Sequence, residues 1–270
     1  MYTELRHVIL QKTLSQIINI VLFCKDCLHF LQYTGLYSFV SISSTFNFDL
    51  DEILEKRNFD NEIIEKFEIG CLTESIDGLK NFLLDKNYNV DDLISLGLVS
   101  SKTNNDIYRA RIIFPIKTIS GRTAGFGART LKTNIKSAKY INSPESLIYN
   151  KSKILFGLYN SKSEIVKKDN CFVVEGYTDV MRFHQKGIKN VVSSSGTALS
   201  IDQINLIRRL TKNITMLYDS DKAGVSATVR SIDIILKQNM NVSVVLFPNN
   251  EDPDSFASNK DTNEIVNYLD

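Results

Sequence analysis

The sequence predicts an α/β fold: a four-stranded parallel sheet flanked by helices, preceded by a smaller mixed α+β part that is strongly basic. Three observations carry this expectation. From Asp169 onward, short apolar runs alternate four times with helical stretches. Before that lies a stretch rich in Lys and Arg with strand-like patterning, and before that a section of helical apolar spacing.

The chain has 270 residues, 43% of them hydrophobic, enough to bury a real core in one large or two smaller domains. Twelve Gly and four Pro exclude collagen-like and linker-dominated chains. Four cysteines, Cys24, Cys27, Cys71 and Cys171, are too few and scattered for a disulfide framework, which fits a reducing compartment. The apolar stretch Ile17–Phe23 is far shorter than the roughly 20 residues of a membrane helix. No leader pattern accompanies it, so a cytoplasmic protein is expected, with no membrane partner.

Residues 1–48 carry helical spacing to about Leu31 and then lose any clear period, so they stay unassigned. From Asp51, Ile53, Leu54, Ile63, Ile64 and Phe67 suggest one helical pair. Ile76, Leu79, Phe82 and Leu83 suggest another, and Asp91-Asp92-Leu93-Ile94 opens a third. Residues 111–129 change to strand chemistry: Ile112-Ile113-Phe114 and Thr123–Phe126 flank a Ser120-Gly121 turn suited to a hairpin. Between Ile107 and Lys168, thirteen Lys and Arg face two acids, Glu145 and Glu164. That stretch is therefore eleven charges positive, and the rest of the +1 chain is ten negative. Phe126, Tyr140, Tyr149, Phe156 and Tyr159 are interleaved with its cations. Cations for phosphates and aromatics for base stacking suit nucleic acid, although aromatics in a folded segment also serve as core.

After Asp169 the alternation reads strand 171–174, helix from about Thr178, strand 190–192, helix from Ser200, strand 214–218, helix 223–236, strand 242–247, a polar loop and a final helix. Ser200 with Gln203 three residues later is a capping-box signature. Apolar strands separated by helices imply a parallel sheet covered on both faces, with right-handed crossovers.

Ligands of such sheets gather beyond the carboxyl ends of the strands, and here those positions are acidic. Glu175 follows the first strand, with Asp179 one helical turn on; Asp219 and Asp221 follow the third, and Asp252 and Asp254 the fourth. Six converging carboxylates would raise one another's pKa unless a cation lay among them. Oxygen-only donors select a hard ion, Mg²⁺ or Mn²⁺. Any one Asp after a strand also serves as a helix cap, Asp221 and Asp254 especially. Ser195-Gly196-Thr197 after the second strand suits either backbone approach to a phosphate or a plain turn. Cys24, Cys27 and His29 lack a second half-site, so no zinc is expected, and two cysteines on a partly buried helix is the simpler reading.

Val-Val-Glu175-Gly-Tyr-Thr-Asp179-Val, Ser-Gly196-Thr-Ala-Leu, Tyr-Asp219-Ser-Asp221-Lys-Ala-Gly224 and Glu-Asp252-Pro-Asp254 resemble the ordered motifs of the Toprim domain of bacterial replicative DNA primases. Arg111-Ile-Ile-Phe-Pro-Ile, Gly125-Phe-Gly-Ala-Arg129, Ala-Lys139-Tyr-Ile-Asn-Ser-Pro-Glu145 and the run from Lys151 to Tyr159 resemble that family's basic amino-terminal subdomain, and Ile64–Gly70 fits its helical section. The resemblance runs from about residue 50 to the end. It implies a basic subdomain over 49–168 and a Toprim catalytic domain over 169–270. It implies Glu175 as catalytic acid, Asp219 and Asp221 as main metal ligands, and Asp179, Asp252 and Asp254 as further members of the cluster. Arg111, Arg129, Lys139 and Lys151 are implied to contact template and nucleotide.

The implied activity is synthesis of short RNA primers from ribonucleoside triphosphates on single-stranded DNA, by Mg²⁺- or Mn²⁺-dependent nucleotidyl transfer. An inactive fragment that binds nucleic acid, or another Toprim reaction such as nuclease or topoisomerase cleavage, are the alternatives. The sequence departs from the family at Ser220 and Ala128, where Gly is common. Residues 1–48 lack the ligands of the family's zinc-binding domain. The chain ends at Asp270, before the family's helicase-binding domain, so a replicative helicase is a partner by resemblance alone.

Overall fold

The structure, a computed structural model, describes residues 59–269 apart from 73, 132–137, 196–197, 219–221 and 249–250; between 222 and 229 it describes the backbone alone. The chain divides into two compact units. One comprises the described residues up to Pro115 with Thr123–Tyr149, and the other Ile116–Arg122 with residues from Asn150 onward.

In the first unit the helices are short and their starts are chemically marked. Helix α1 (Asn61–Lys66) opens at Asp60, whose Oδ1 accepts the Ile63 N–H at 2.8 Å. Strand β1 (Gly70–Leu72) follows, then α2 (Gly78–Asp85) and α3 (Val90–Ser95), where Asn89 Oδ1 accepts the Asp91 N–H at 2.9 Å. Ile76, expected within a helix, precedes α2 and is 56% exposed. Asp77 makes no side-chain cap on α2. Asp106, far along the chain, caps it instead, accepting the N–H groups of Leu79 (2.7 Å) and Lys80 (3.0 Å). Burial raises the Asp106 pKa, against the lowering effect of these two bonds.

Strands β2 (Arg111–Lys117) and β3 (Thr123–Thr130) are the expected hairpin, and β4 (Tyr140–Asn142) completes a sheet of order β1-β2-β3-β4. Strands β1 and β4 were not anticipated, because three residues are too few to display a period of two. The hairpin turn needs Gly121, whose φ is +90° and whose added Cβ would lie 2.5 Å from the Tyr159 ring. The core joins Leu79, Leu83, Leu93 and Leu98 to Tyr108, Ile113 and Phe126. Within it, the Tyr108 hydroxyl pairs with Ser143 Oγ at 3.0 Å, and Ser143 Oγ also accepts the Phe126 N–H at 2.9 Å.

In the second unit a 3₁₀ turn (Lys151–Lys153) leads to α4 (Leu158–Lys168), β5 (Cys171–Val174), α5 (Tyr177–Gln185) and β6 (Val191–Ser193). There follow α6 (Ile201–Arg208), β7 (Asn213–Tyr218), α7 (Lys222–Lys237), β8 (Asn241–Leu246), α8 (Pro253–Asn259) and α9 (Thr262–Leu269). Four strands fall where apolar runs predict them, but the expected single final helix is two. The sheet is parallel throughout, with order β6-β5-β7-β8. Val173, fully buried, pairs with Val192 on one side and Met216 on the other. The capping box forms as expected: Ser200 Oγ accepts the Gln203 N–H, and Gln203 Oε1 the Ser200 N–H, both at 3.0 Å. Full coverage of both sheet faces does not extend to β8, the edge strand, where Val244 and Leu246 are 37% and 63% exposed.

No helix among the described residues is long and apolar enough to cross a membrane. Cys24, Cys27 and His29, with the whole of 1–48, lie outside the described residues.

Candidate active site

The strand order decides which carboxyl ends meet. Strand β5 lies between β6 and β7, so the chain crosses over between β6 and β7, and the ends of β5 and β7 are neighbours at the switch of direction. Glu175 directly follows β5, and Asp219 directly follows Tyr218, the last residue of β7. Asp219, Ser220 and Asp221 themselves lie outside the described residues, as do Gly196 and Thr197.

Glu175 is half-buried, and its backbone is fixed from β6. The Ser193 hydroxyl, fully buried, donates to the Glu175 carbonyl at 2.6 Å and accepts the Ser195 N–H at 2.9 Å. Ser195 sits at φ 62°, a left-handed conformation that turns the chain as it leaves β6. Phe156 exchanges two backbone hydrogen bonds with Ser193, both at 3.0 Å, and so extends the sheet past β6. Tyr218 is buried at the end of β7, and burial pushes its hydroxyl up to about 12. Ser194 pulls that value down, while the Glu175 charge raises it, which is the electrostatic sign of the two strand ends lying close.

Asp179 lies in the first turn of α5 and its Oδ2 accepts the Gly176 N–H at 2.8 Å. Asp252 caps α8: its Oδ1 accepts the Ser255 N–H at 2.6 Å, with Pro253 in the first turn. Asp254 does not open that helix but lies within its first turn, where Oδ1 accepts the Arg182 Nε–H at 2.8 Å. Three of the six predicted carboxylates thus make structural bonds, Asp179 and Asp252 within their own helix starts and Asp254 across to Arg182. Sequence reasoning passed over two residues here. Arg182 is 4% exposed and forms that pair with Asp254; the signal was a charged residue among Val180, Met181 and Phe183. Glu251, beside Asp252, has a buried Oε2 without a hydrogen-bond partner.

Among the described residues no three His, Cys, Asp or Glu side chains are gathered as a metal cluster. The predicted donors are all carboxylates, the oxygen type a hard cation takes, and beside Asp252 the buried Oε2 of Glu251 lacks a hydrogen-bond partner to offset its desolvation.

The predicted cations divide between the units. Arg111, 8% exposed, donates to the Ala138 carbonyl at 3.2 Å and the Lys139 carbonyl at 3.4 Å, and burial lowers its pKa. Arg129 donates to Tyr140 Oη at 3.0 Å and stands 5.3 Å from that ring's centroid. Lys139 is exposed beside them, so the first unit brings these three together. Lys151 belongs to the second unit, in the 3₁₀ turn held by Gln203, whose Nε2 donates to the Lys151 (3.0 Å) and Ile154 (2.8 Å) carbonyls. The interleaved aromatics are mostly core, contrary to a stacking role: Phe126, Tyr149 and Phe156 are 1–2% exposed. Tyr159, at 38%, and half-buried Tyr140 reach the surface, and Lys162 Nζ stands 4.5 Å from the Tyr159 ring centroid.

Two families match the chain: the N-terminal domain of the DNA primase catalytic core over residues 40–162, and a Toprim-like family over 172–257. The DNA primase of Helicobacter pylori is 38% identical over 221 residues, 80% of this chain and 38% of the relative. The chain thus spans well under half the length of that relative. The crystal structure of a DNA primase domain from Pseudomonas aeruginosa superposes with a TM-score of 0.74 at 32% identity, covering 81% of this chain and 70% of that one. The structure of a primase catalytic domain bound to single-stranded DNA gives 0.80 at 28% identity, covering 98% and 81%. With both regions matched in order along the chain, and a solved primase domain 32% identical over 70% of its length, the chain belongs to the bacterial DNA primase family, in the part that forms its catalytic core.

Proposed function

We propose that this chain synthesises RNA primers: a nucleotidyltransferase, a DNA-directed RNA polymerase of the primase type, taking ribonucleoside triphosphates as substrates and single-stranded DNA as template. The observation that carries the reading is the adjacency of the β5 and β7 carboxyl ends, which brings the loop of Glu175 beside the chain that continues into Asp219 and Asp221. The similar catalytic domain described as bound to single-stranded DNA supports the choice of template.

Glu175, Asp219 and Asp221 would hold Mg²⁺ or Mn²⁺, with Asp179, Asp252 and Asp254 as further members of the cluster. Bound there, the metal supplies charge stabilisation for the attacking 3′-oxygen and the leaving pyrophosphate. Glu175 binds that ion or takes the proton of the attacking hydroxyl. Ser193 keeps the Glu175 backbone in place during either role. Residues 49–168 serve as the template-handling part and 169–270 as the catalytic part. Arg129, Lys139 and Lys151 neutralise template or nucleotide phosphates. Arg111 joins them and also shapes the 138–139 segment with its guanidinium. A replicative helicase is the partner the family implies, in the cytoplasm.

Primer synthesis on single-stranded DNA with Mg²⁺ or Mn²⁺ is the test. Wild type should extend ribonucleotides, and the Asp219→Ala/Asp221→Ala variant should not. Equal activity, or equal silence, would remove the reading's support.

A further inference from the structure

Helix α5 carries Asp179 in its first turn and Arg182 one turn later. Arg182 is the charged residue of a buried face, 5% exposed in its side chain, and its Nε–H meets Asp254 Oδ1 at 2.8 Å. Asp254 is itself 19% exposed, so both charges are largely withdrawn from water, where their attraction is least screened. The contact spans 72 residues of sequence and joins α5 to the first turn of α8, whose cap is Asp252. Chain between β8 and that cap includes Glu251, with its partnerless buried oxygen. The far end of α8 is tied separately: Lys186 Nζ donates to the Lys260 carbonyl at 2.7 Å, and Thr262 Oγ1 to the Lys186 carbonyl at 3.0 Å. Removing the guanidinium would therefore break a link at the acidic end of α8 while leaving the links at its other end intact.

We propose that Arg182 is a positioning residue for the metal site: by holding Asp254 it fixes the Glu251–Asp254 turn against α5 at the carboxyl edge of the sheet. The inference rests on the metal-dependent reading above. An arginine suits the task because it stays charged when buried, and its Nε–H fixes direction as well as distance. Asp254 acts in this arrangement as the link between Arg182 and the turn. Its second role as a cation ligand becomes subordinate to that link.

The experiment titrates Mn²⁺ alone into the full chain, without nucleotide or template, and follows water-proton relaxation at a temperature well below each variant's melting point. Arg182→Met should weaken Mn²⁺ binding about tenfold, the size expected for loss of a partner that orients a ligand. Arg182→Lys should recover part of the loss, and Asp254→Asn, which breaks the same pair from its other side, should weaken binding at least as much as Arg182→Met. Unchanged or tighter Mn²⁺ binding in Arg182→Met, with only a lowered melting point, would mean the pair merely braces two helices and would overturn the proposal. If Asp219→Ala/Asp221→Ala weakens binding and Arg182→Met does not, the positioning role alone fails. If that double variant binds Mn²⁺ as wild type does, the metal reading falls and takes this proposal with it.

Discussion

Asp106 Oδ2 accepts the backbone N–H of Leu79 at 2.7 Å, supplying from 27 residues downstream the cap that α2 lacks at its own N-terminus. Because Oδ1 takes the next N–H, from Lys80, two otherwise unpaired donors depend on one buried carboxylate. Asp106→Ala should destabilise the first unit by about 1–2 kcal/mol, the usual range for loss of an N-cap. Asp106→Asn, which keeps one acceptor oxygen, should cost less. Urea unfolding followed by near-UV circular dichroism measures both, and an Asn variant as damaged as the Ala variant would contradict the capping account.

Ser193 relays a bond from the Ser195 N–H to the Glu175 carbonyl. Ser193→Ala breaks both contacts at a fully buried position and should cost about 1–3 kcal/mol, as expected for buried partners left unsatisfied. Since the affected carbonyl belongs to Glu175, primer synthesis should fall more than the folded fraction does. Side-by-side measurement of turnover and unfolding midpoint at one temperature separates the two effects.

Burial pushes Tyr108 up to about 12 from an ordinary value of 10.0. A folded-state pKa above the unfolded one means this group's contribution is complete below pH 10 and lost as pH rises through about 12. Two pH units correspond to about 3 kcal/mol of alkaline sensitivity. Tyr108→Phe should remove that sensitivity between pH 10 and 12 while forfeiting the bond to Ser143, about 1 kcal/mol at neutral pH. Melting temperatures across that range report it, and an equal alkaline slope in the two proteins would be the contrary result.

Lys139 is exposed and Arg129 half-buried, so loss of either should weaken single-stranded DNA binding and reduce the slope of log K against log salt by about 0.7 per phosphate contact. Arg111→Ala should behave differently. Its guanidinium holds the carbonyls of Ala138 and Lys139, so its removal should lower thermal stability as well as affinity. Fluorescence anisotropy across a salt series, paired with thermal melts, tells the two kinds of arginine apart; a shallower slope with an unchanged melt for Arg111→Ala would make it a plain phosphate contact.

The parallel sheet was legible because each signal is local. Cys171–Val174 is a continuous apolar run and the run 214–218 is broken only by Thr215, Ser200 and Gln203 mark a helix start three residues apart, and Glu175 stands at a strand end by simple succession. The same locality left β1 and β4 invisible and merged α8 with α9. The basic stretch was legible as charge, yet whether Phe126, Tyr149 and Phe156 stack on bases or pack inside stayed open until the structure put them in the core, since composition carries no information about which way a ring faces.

Succession along the chain was enough to set Glu175 just past β5 and, through the ordered motifs, to point to a primase catalytic core. It took folding to make β5 the neighbour of β7, to cap α2 with Asp106, and to bring Arg182 to Asp254 across 72 residues. Those pairings come from packing between elements distant in sequence, where burial forces each charged group to find a partner whatever its position in the chain.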